Sequence, residues 1–329
     1  MFNDKKIIDF LKQAIDEKTD LVYINVLETQ GDAFRKTGAT MIVKANGVFT
    51  GIVRGGGFEK EIVQSAKEVL TKNTGKYIVH DLRVEEDNPD SWGHSIGCNG
   101  VIKLWMEPFY STDNYGSLGL ALQYALKGQT KTLIRSIDDS RKYSFIEKSY
   151  KTNSFYDESN NIFLQNIILP FKLIILGAGP GSEALLQIAH ILGWQTTICD
   201  TRDSILQTIQ SSDEKILLSS LDNLDSLNID SFDAGVIMSH NLSDDTEYLK
   251  ELVFSKIDYI GIMGPQKRTK EIMDSIENIH KAKLLDTRLH SPIGLNLGGE
   301  TPESIALSIS SEIESRRNKT IPLSLKTTN

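Results

Sequence analysis

The chain has 329 residues, which is enough for two domains that each bury a hydrophobic core. Its net charge of −8 argues against binding to nucleic acid or to an anionic membrane as its main role. Its two cysteines, at positions 98 and 199, are too far apart in sequence to suggest a disulfide framework. No apolar run could span a bilayer, and the first ten residues lack the apolar segment of a signal peptide, so we expect a cytoplasmic protein.

The first part of the chain alternates between helical and strand patterns, which predicts a mixed α+β domain over residues 1–138. A helix is expected from Asp4 to Glu17, where apolar residues recur on one face. Asn46-Gly47 is a strong signal for a two-residue hairpin. The other predicted elements are helices over 58–70 and 116–127 and strands at Leu21–Leu27, Met41–Lys44, Val48–Val53, Tyr77–Leu82, Val101–Met106 and Lys131–Ile137.

Arg54, Gly55, Gly56 and Gly57 form a glycine-rich connection between a predicted strand and a predicted helix. The backbone donors of such a loop, together with the guanidinium group, could hold an anion. A tight connection that binds no ligand explains the same residues, and this loop alone does not decide between the two.

Cys98 lies in a polar, glycine-rich loop, SWGHSIGCNG, in which His94 could favour the thiolate. A thiolate there could attack a substrate, bind a soft metal or relay sulfur. The alternative is a small buried residue, the usual fate of a free cysteine. The cysteines and histidines do not have the spacing of a zinc site.

The stretch LIILGAGPGSEALLQIAHILGWQTTICD spans residues 173–200 and has the order strand, glycine turn, helix, strand and acid. This order is typical of a mononucleotide-binding βαβ unit, so we predict a Rossmann-like domain. Pro180 removes one backbone donor from the loop, which weakens the case for ordinary NAD binding. A βαβ unit whose loop binds nothing is the alternative.

Five residues of this unit are predicted to contact a cofactor. Gly177 suits the sharp turn, and Gly179 lets the backbone approach a phosphate. Gly181 and Ser182 open the helix, whose first amides and positive dipole end favour an anion. Asp200 is placed to accept hydrogen bonds from a ribose.

The rest of the chain continues to alternate between strands and helices, which predicts a parallel, doubly wound sheet. Predicted strands lie at Lys215–Leu218, Ala234–Met238 and Tyr259–Ile262, and predicted helices lie near 203–210, 244–254 and 266–276. Thr301-Pro302 suits the start of a last helix, which reaches Ile313. Because residues 139–165 are polar and lose periodicity, we predict a linker there, a second domain over 166–316 and a loose tail over 317–329.

Further polar residues are expected where the strands of this sheet end, because ligands of doubly wound sheets bind outside the carboxyl ends of the strands. His240 follows one strand and could act as an acid or base. Gly264, Lys267 and Arg268 follow the next, and their cations suit a phosphate. His290 lies in a loop before the last helix. A structural role is the alternative for each histidine.

Taken together, these motifs resemble the XdhC/CoxI family of accessory factors that mature molybdenum hydroxylases such as xanthine dehydrogenase. The resemblance runs nearly end to end. It rests on ETQGDAFRKTGATM, GIVRGGGFE, GCNG and MEP in the first domain, and on ILGAGPGSEAL, MSHN, YIGIMGPQKR and RLHSPIGLNLGGETPESIALSISSEI in the second. Family members commonly have a cysteine where this chain has Gly57, so Cys98 is the retained one of two family cysteine positions.

The resemblance implies a protein that binds the molybdenum cofactor, either as molybdopterin or in its dinucleotide form. It also implies that the protein assists replacement of an oxo ligand by sulfide, with a cysteine desulfurase as sulfur donor, and passes the cofactor to an apo-hydroxylase. Cys98 would then be a molybdenum contact. A homo-oligomer is compatible with this role, and a turnover reaction of the protein's own is not required.

Two other functions stay open from the residues alone. One is an NAD(P)-dependent oxidoreductase that uses the Rossmann-like domain, with His240 as its acid or base. The other is a nucleotide-sensing module without chemistry. For the preferred function, a phosphate-binding glycine loop on one domain and a thiol on the other could hold the two ends of molybdopterin in a cleft between the domains.

Overall fold

The computed structural model describes residues 2, 4–32, 35–54, 57–81, 99–139, 142–147, 152–221, 224, 227–276, 288–324 and 326. It divides into two units, Met1–Leu169 and Pro170–Asn329. Gly55, Gly56 and Cys98, three of the predicted site residues, lie outside the described residues. None of the helices that the structure describes is long and apolar enough to cross a membrane.

The first unit contains an antiparallel sheet of five strands, at Leu21–Asp32 (β1), Thr40–Lys44 (β2), Phe49–Gly51 (β3), Lys76–Asp81 (β4) and Asn99–Phe109 (β5). Their order is β3-β2-β1-β5-β4. Side chains alternate along the central strand, as the period of two requires. Val22, Ile24 and Val26 enter one hydrophobic cluster, whereas Leu21 and Tyr23 enter another. The sheet therefore has a buried cluster on each face.

A second antiparallel sheet of the first unit has four strands, at Lys131–Ser136 (β6), Tyr143–Glu147 (β7), Ser154–Asp157 (β8) and Ile162–Asn166 (β9), in the order β7-β6-β9-β8. We predicted a linker over 139–165, whereas the described part of this segment contains β7, β8 and most of β9. The two short strands β7 and β8 are half-exposed and carry no apolar run. Their sequence therefore looks like a loop although they pair with β6 and β9.

Three helices of the first unit pack against these sheets, at Lys5–Asp16 (α1), Glu59–Lys72 (α2) and Gly116–Leu126 (α3). All three were predicted within a few residues of these bounds. In α1, Ile7, Ile8, Leu11 and Ala14 recur on one face and are buried. The side chain of Asp4 accepts a hydrogen bond from the Lys6 amide at 2.8 Å and so caps the helix.

A buried ion pair joins the two sheets of the first unit. Arg135 of β6 donates from Nη1 to Oε2 of Glu107 on β5 at 2.6 Å, and from Nη2 to Oδ1 of Asn25 on β1 at 2.6 Å. Tyr23 donates to Oε1 of Gln165 on β9 at 3.2 Å. Arg135 and Glu107 are 1% and 0% exposed. Because a buried charge is stable only when it is paired, these bonds hold the two sheets together.

The second unit contains six parallel strands, at Lys172–Leu176 (β10), Gln195–Asp200 (β11), Glu214–Leu217 (β12), Ala234–Ile237 (β13), Tyr259–Ile262 (β14) and Leu289–His290 (β15). Their order is β12-β11-β10-β13-β14-β15, with every neighbouring pair parallel. Chain order reverses between β10 and β13, which is the arrangement of dinucleotide-binding Rossmann folds. The prediction of a Rossmann-like second domain is confirmed.

Five described helices accompany this sheet, at Pro180–Ile191 (α4), Asp203–Leu206 (α5), Leu242–Phe254 (α6), Gln266–Ser275 (α7) and Pro302–Arg317 (α8). Buried residues of α4 and α8 share one hydrophobic cluster, and those of α6 and α7 share another. The predicted cap is present, because Thr301 accepts from the Ser304 amide at 3.2 Å. The helix predicted over 203–210 is shorter in the structure, and the described residues after α8 form no helix or strand.

Candidate functional site

The carboxyl ends of the parallel strands gather most of the predicted site residues of the second unit. The glycine loop follows β10, Asp200 ends β11, and His240 lies shortly after β13. The loop is close to the end of β13, because a Cβ placed on Gly177 would lie 2.4 Å from the Ser239 Cα. Chain order reverses at this point, so the predicted residues meet where ligands of this fold usually bind.

Gly177 and Gly179 differ in whether the backbone requires a glycine at that position. Gly177 has a φ of +112° and no room for a side chain beside the backbone of Ser239, so glycine is required there. Gly179 is extended, with a φ of 169°, and a Cβ built on it would meet nothing within 4 Å. Gly179 therefore borders open space.

The amides of the loop differ in how much of their hydrogen-bonding capacity is already used. The amide of Gly177 donates to the Cys199 carbonyl at 2.9 Å, and that of Ala178 donates to Oδ2 of Asp200 at 2.6 Å. The amide of Gly179 donates to Oγ of Ser182 at 2.8 Å. The described residues offer no acceptor to the amide of Gly181 at the start of α4, which leaves a donor for an anion.

The Ser182 hydroxyl is occupied inside the loop. It accepts from the Gly179 amide and donates to the Gly179 carbonyl, both at 2.8 Å, and the residue is buried. Its side chain therefore maintains the shape of the loop.

Asp200 is also occupied. Its Oδ1 accepts from the backbone amide of Arg202 at 2.8 Å and from Nε of Arg202 at 2.9 Å. Its Oδ2 accepts from Nη2 of Arg202 at 2.8 Å and from the Ala178 amide at 2.6 Å. The carboxylate is thus a structural link between the glycine loop and the residues that follow β11.

Burial would by itself raise the pKa of Asp200, but the hydrogen bonds from Arg202 and Ala178 outweigh it and hold the pKa below its usual value. A carboxyl with a lower pKa in the folded protein adds stability above its unfolded pKa, and this stability is lost as the pH falls through the folded pKa. We expect the wild-type unfolding midpoint to begin falling at about pH 4. We also expect Asp200→Asn to lower the midpoint at pH 7 and to flatten its dependence on pH.

Urea unfolding followed by circular dichroism at a series of pH values checks this expectation. Asp203→Asn, a change of an exposed carboxylate on α5, is the matched control and should follow the wild type. Parallel pH curves for the wild type and Asp200→Asn would contradict the role given to the carboxylate.

A second ion pair lies after β13. Asp245 of α6 accepts from Nε and Nη2 of Arg268 at 2.9 and 2.6 Å, and it also accepts from the Ser239 hydroxyl. Asp245 is fully buried. The charge of Arg268, which we predicted to bind a phosphate, is therefore balanced within the protein.

Three other predicted site residues lie within a few positions of Asp245 or Arg268 along the chain: His240, Gly264 and Lys267. His240 is exposed and has a left-handed backbone with a φ of 62°, which is uncommon for a residue with a side chain. Gly264 lies beside Arg268, because a Cβ on it would be 2.7 Å from the Arg268 Cδ. The Lys267 side chain is exposed, with Nζ 3.9 Å from Glu271.

His290 was predicted to lie in a loop, but it is the last residue of the two-residue strand β15. It lies within β15 opposite Gly261, and its ring stacks on Tyr259 with centroids 4.4 Å apart. Its Nδ1 is 3.2 Å from Oε1 of Glu312, and Arg316 donates to its Nε2 at 3.3 Å. These contacts hold α8 against the sheet. They agree with the alternative given for His290, a structural role.

In the first unit, Arg54 is buried beside the predicted glycine loop. Its Nη1 is 2.7 Å from Nδ1 of His80, and its guanidinium lies 3.2 Å from the centre of the Phe58 ring. Burial and the charge of Arg54 lower the pKa of His80. The role of Arg54 in holding an anion stays a prediction.

Cys199 lies in β11 and is fully buried, as expected of an inert cysteine. Burial raises the pKa of its thiol to about 12. The role of Cys98 as the reactive thiol stays a prediction. Among the described residues, no group of three or more metal-binding side chains comes together.

Sequence reasoning missed two features of the structure. Arg202 was not singled out, although an arginine near the acid of a βαβ unit is a known signal for a phosphate on the ribose 2′ oxygen. The pair of Arg135 and Glu107 was missed as well, because nothing in the sequence shows that β5 and β6, which belong to different sheets, come into contact.

The strand order and the glycine loop define a protein in which a Rossmann domain follows an antiparallel first unit along the chain. Two family models match the chain, the XdhC Rossmann domain over residues 173–313 and the XdhC and CoxI family over residues 14–81. The matched stretches together make up more than half of the chain. The chain belongs to the XdhC/CoxI family.

Three known proteins resemble the chain along nearly its whole length. A protein of Bacillus subtilis, described as a probable subunit of xanthine dehydrogenase, is 26% identical, over 94% of this chain and 97% of that protein. The molybdenum cofactor insertion chaperone PaoD of Escherichia coli is 21% identical, over 95% of this chain and 88% of that protein. A crystal structure described as a xanthine dehydrogenase from Bacillus halodurans is 25% identical, with a TM-score of 0.78 over 100% of this chain and 99% of that one.

Proposed function

We propose that this protein binds the molybdenum cofactor in its second unit and assists the maturation of a molybdenum hydroxylase of the xanthine dehydrogenase type. The observation that carries the proposal is the end-to-end likeness to a molybdenum cofactor insertion chaperone and to a probable subunit of xanthine dehydrogenase. Because both units are matched, the likeness is not a property of the Rossmann domain alone.

The geometry of the glycine loop supports a ligand that brings one phosphate. Gly179 borders open space, and the amide of Gly181 has no acceptor among the described residues. Such a helix start suits the phosphate of molybdopterin. A dinucleotide pyrophosphate would normally use more donors than this loop leaves, since Pro180 has none and three further amides donate within the protein.

In the proposed role, the protein holds the cofactor while a cysteine desulfurase supplies sulfur, and it then delivers the cofactor to the apo-hydroxylase. Cys98 would contact the molybdenum, as the family resemblance implies. The chain has glycine at position 57, so this contact would not involve a cysteine there.

An NAD(P)-dependent oxidoreductase is the second function to test. The strand order of the second unit favours it, and exposed His240 lies beyond β13. The carboxylate of Asp200, which would bind a nicotinamide cofactor's ribose in such an enzyme, is instead bonded to Arg202 and Ala178. A nucleotide-sensing module without chemistry would share this difficulty.

Gly179→Leu tests the proposed site, because its side chain would fill the open space at the start of α4 without meeting protein atoms at its Cβ. We expect this variant to keep its circular dichroism spectrum and to lose at least about tenfold in affinity for molybdopterin, a loss of about 1.4 kcal/mol or more. Pterin fluorescence titration measures the affinity. Gln187→Leu adds the same side chain to an exposed position of α4 and should bind normally.

A reconstitution assay separates the two functions. With a sulfur donor, the wild-type protein should restore activity to a sulfur-free hydroxylase of the xanthine dehydrogenase type, whereas Gly179→Leu should not. Tight NADH binding with substrate-dependent turnover and no effect on the hydroxylase would favour the oxidoreductase. Normal molybdopterin affinity in folded Gly179→Leu would rule out the glycine loop as the site.

A further inference from the structure

We propose that a groove between β3 and α2 of the first unit binds an extended peptide segment of a partner protein. The peptide would add a strand to the open edge of β3, with one apolar side chain in the groove and an acidic side chain on either side of it. This inference goes beyond the proposed function, because it concerns the first unit and does not depend on what the second unit binds.

The strand β3 has one side without a neighbouring strand. It is the outermost strand in the order β3-β2-β1-β5-β4, and it pairs with β2 alone. The Lys44 amide donates to the Val48 carbonyl at 2.8 Å, so these two residues form a hydrogen-bonded pair. Bonded and non-bonded pairs alternate along antiparallel strands, so the next pair, Val43 with Phe49, is not bonded. The amide and carbonyl of Phe49 therefore point away from β2, where an added strand could bind them.

An apolar groove of about 720 Å³ lies beside this open edge. Phe49 of β3 and Ile52, the residue after β3, line it and are 40% and 41% exposed. Val63 of α2 also lines the groove and is half-buried. Proteins usually protect an edge strand against pairing by means of charges or proline, and residues 48–52 contain neither. This edge is therefore suited to receive another strand.

The pairing register places an added side chain in the groove. Phe49 is opposite Val43, and Val43 belongs to the hydrophobic cluster that includes Ile62 of α2, so Phe49 lies on the face of the sheet that α2 covers. Directly opposite residues of paired strands share a face. A peptide residue opposite Phe49 would thus direct its side chain between Phe49 and Val63, and an apolar side chain fits these surroundings.

The charges of the groove indicate which residues flank that apolar one. Lys60 and Lys67 line the groove about one helical turn before and after Val63. Neither lysine has an acidic partner among the described residues. Glu59 lines the groove as well, so its lining has one more positive than negative charge, although the whole chain has a net charge of −8. An acidic peptide complements this local charge.

The positions of the two lysines set the spacing of the acids. Lys60 and Lys67 are seven residues apart, which corresponds to about 10 Å along a helix. Four residues of a strand span about 13 Å, and the flexible lysine side chains can cover the difference. Acids two residues before and two residues after the apolar residue would lie on its face of the strand. The expected peptide therefore has the pattern acid, any residue, apolar residue, any residue, acid.

The probe that tests the proposal is a fluorescein-labelled peptide, Thr-Glu-Thr-Val-Thr-Glu-Thr, titrated with the full-length protein and followed by fluorescence anisotropy. We expect saturable binding that weakens as salt is added. A second peptide, with lysines in place of both glutamates, should bind at least about tenfold more weakly. Two further acidic peptides carry methyl groups on alternate backbone nitrogens, starting at the first or at the second residue. One of them should lose binding, because only one set of amides can face β3.

Substitutions in the protein test the groove itself. Lys60→Glu/Lys67→Glu should weaken binding of the acidic peptide at least about tenfold and reverse the preference between the acidic and lysine peptides. Phe49→Thr keeps a residue that favours strands but removes the ring, so it should weaken binding of the acidic peptide. The control Lys12→Glu/Lys270→Glu makes the same change of charge at exposed positions outside the groove and should bind like the wild type. Circular dichroism checks that each variant is folded.

The inference is overturned if the acidic peptide does not bind, if the lysine peptide binds as tightly, or if both methylated peptides bind normally. Wild-type affinity in folded Phe49→Thr or Lys60→Glu/Lys67→Glu would overturn it as well. Analytical ultracentrifugation tests a second copy of the chain as the occupant, and a wild-type dimer that Phe49→Thr dissociates would assign the groove to self-association instead. Molybdopterin binding by the wild type and by Gly179→Leu is measured separately, so failure of this inference can be distinguished from failure of the proposed function.

Discussion

Gly177→Ala is expected to destabilise the second unit by about 2–6 kcal/mol, the sum of backbone strain and overpacking. The new Cβ would lie 2.4 Å from the backbone of Ser239, and alanine would have to adopt a φ of +112°. Backbone atoms at the end of β13 cannot rotate away as a side chain can. The end of β10 would therefore have to separate from β13.

Hydrogen exchange measured by mass spectrometry checks this expectation, because it localises the loss of protection to β10 and β13. Gly179→Ala is the matched control two residues along the same loop, since its Cβ would meet nothing and its backbone is already extended. The two variants should differ clearly in their urea unfolding midpoints. Equal midpoints would show that the close approach of Gly177 to Ser239 does not constrain the fold.

Glu107→Gln and Arg135→Met are each expected to lower the free energy of unfolding by about 3–5 kcal/mol, because each leaves the opposite charge buried and unpaired. Arg135 is 1% exposed and its bonds to Glu107 and Asn25 are both 2.6 Å long. The double variant Glu107→Gln/Arg135→Met removes both charges and should recover much of the loss.

Urea unfolding of the four proteins in this cycle measures the coupling of the pair. Lys131→Met breaks an ion pair between β6 and exposed Glu147, and it should leave the unfolding midpoint unchanged. Additive effects of the two buried substitutions would contradict the assignment of a coupled pair, and so would equal effects of Lys131→Met and Arg135→Met.

The Rossmann-like unit could be predicted from the sequence because its signals are local. The glycines, the helix after them and the acid at position 200 lie within 28 consecutive residues, so one supersecondary unit contains the whole pattern. The alternation of predicted strands and helices was enough to predict the parallel sheet. The element bounds in the structure agree with the predicted ones to within a few residues for most elements.

The chemistry of the site could be predicted less well, because it depends on contacts between separate elements. The pattern placed Asp200 at the end of its strand, but only the structure shows that Arg202 and Ala178 occupy its carboxylate. The same holds for Arg268, whose partner Asp245 is 23 residues away. The strands between residues 139 and 165 were missed because half-exposed strands of four or five residues carry too few apolar positions for a periodic signal.

The internal hydrogen bonds of the glycine loop have a consequence for the speed of exchange. Ser182, Asp200 and Arg202 hold the loop in shape through bonds within the protein. A loop of this kind has no ordering step to complete when a ligand arrives and no collapse to undergo when the ligand leaves. Under the proposed function, the residence time of the cofactor would then depend mainly on its own contacts, so a client enzyme that offers a few better contacts could take it over.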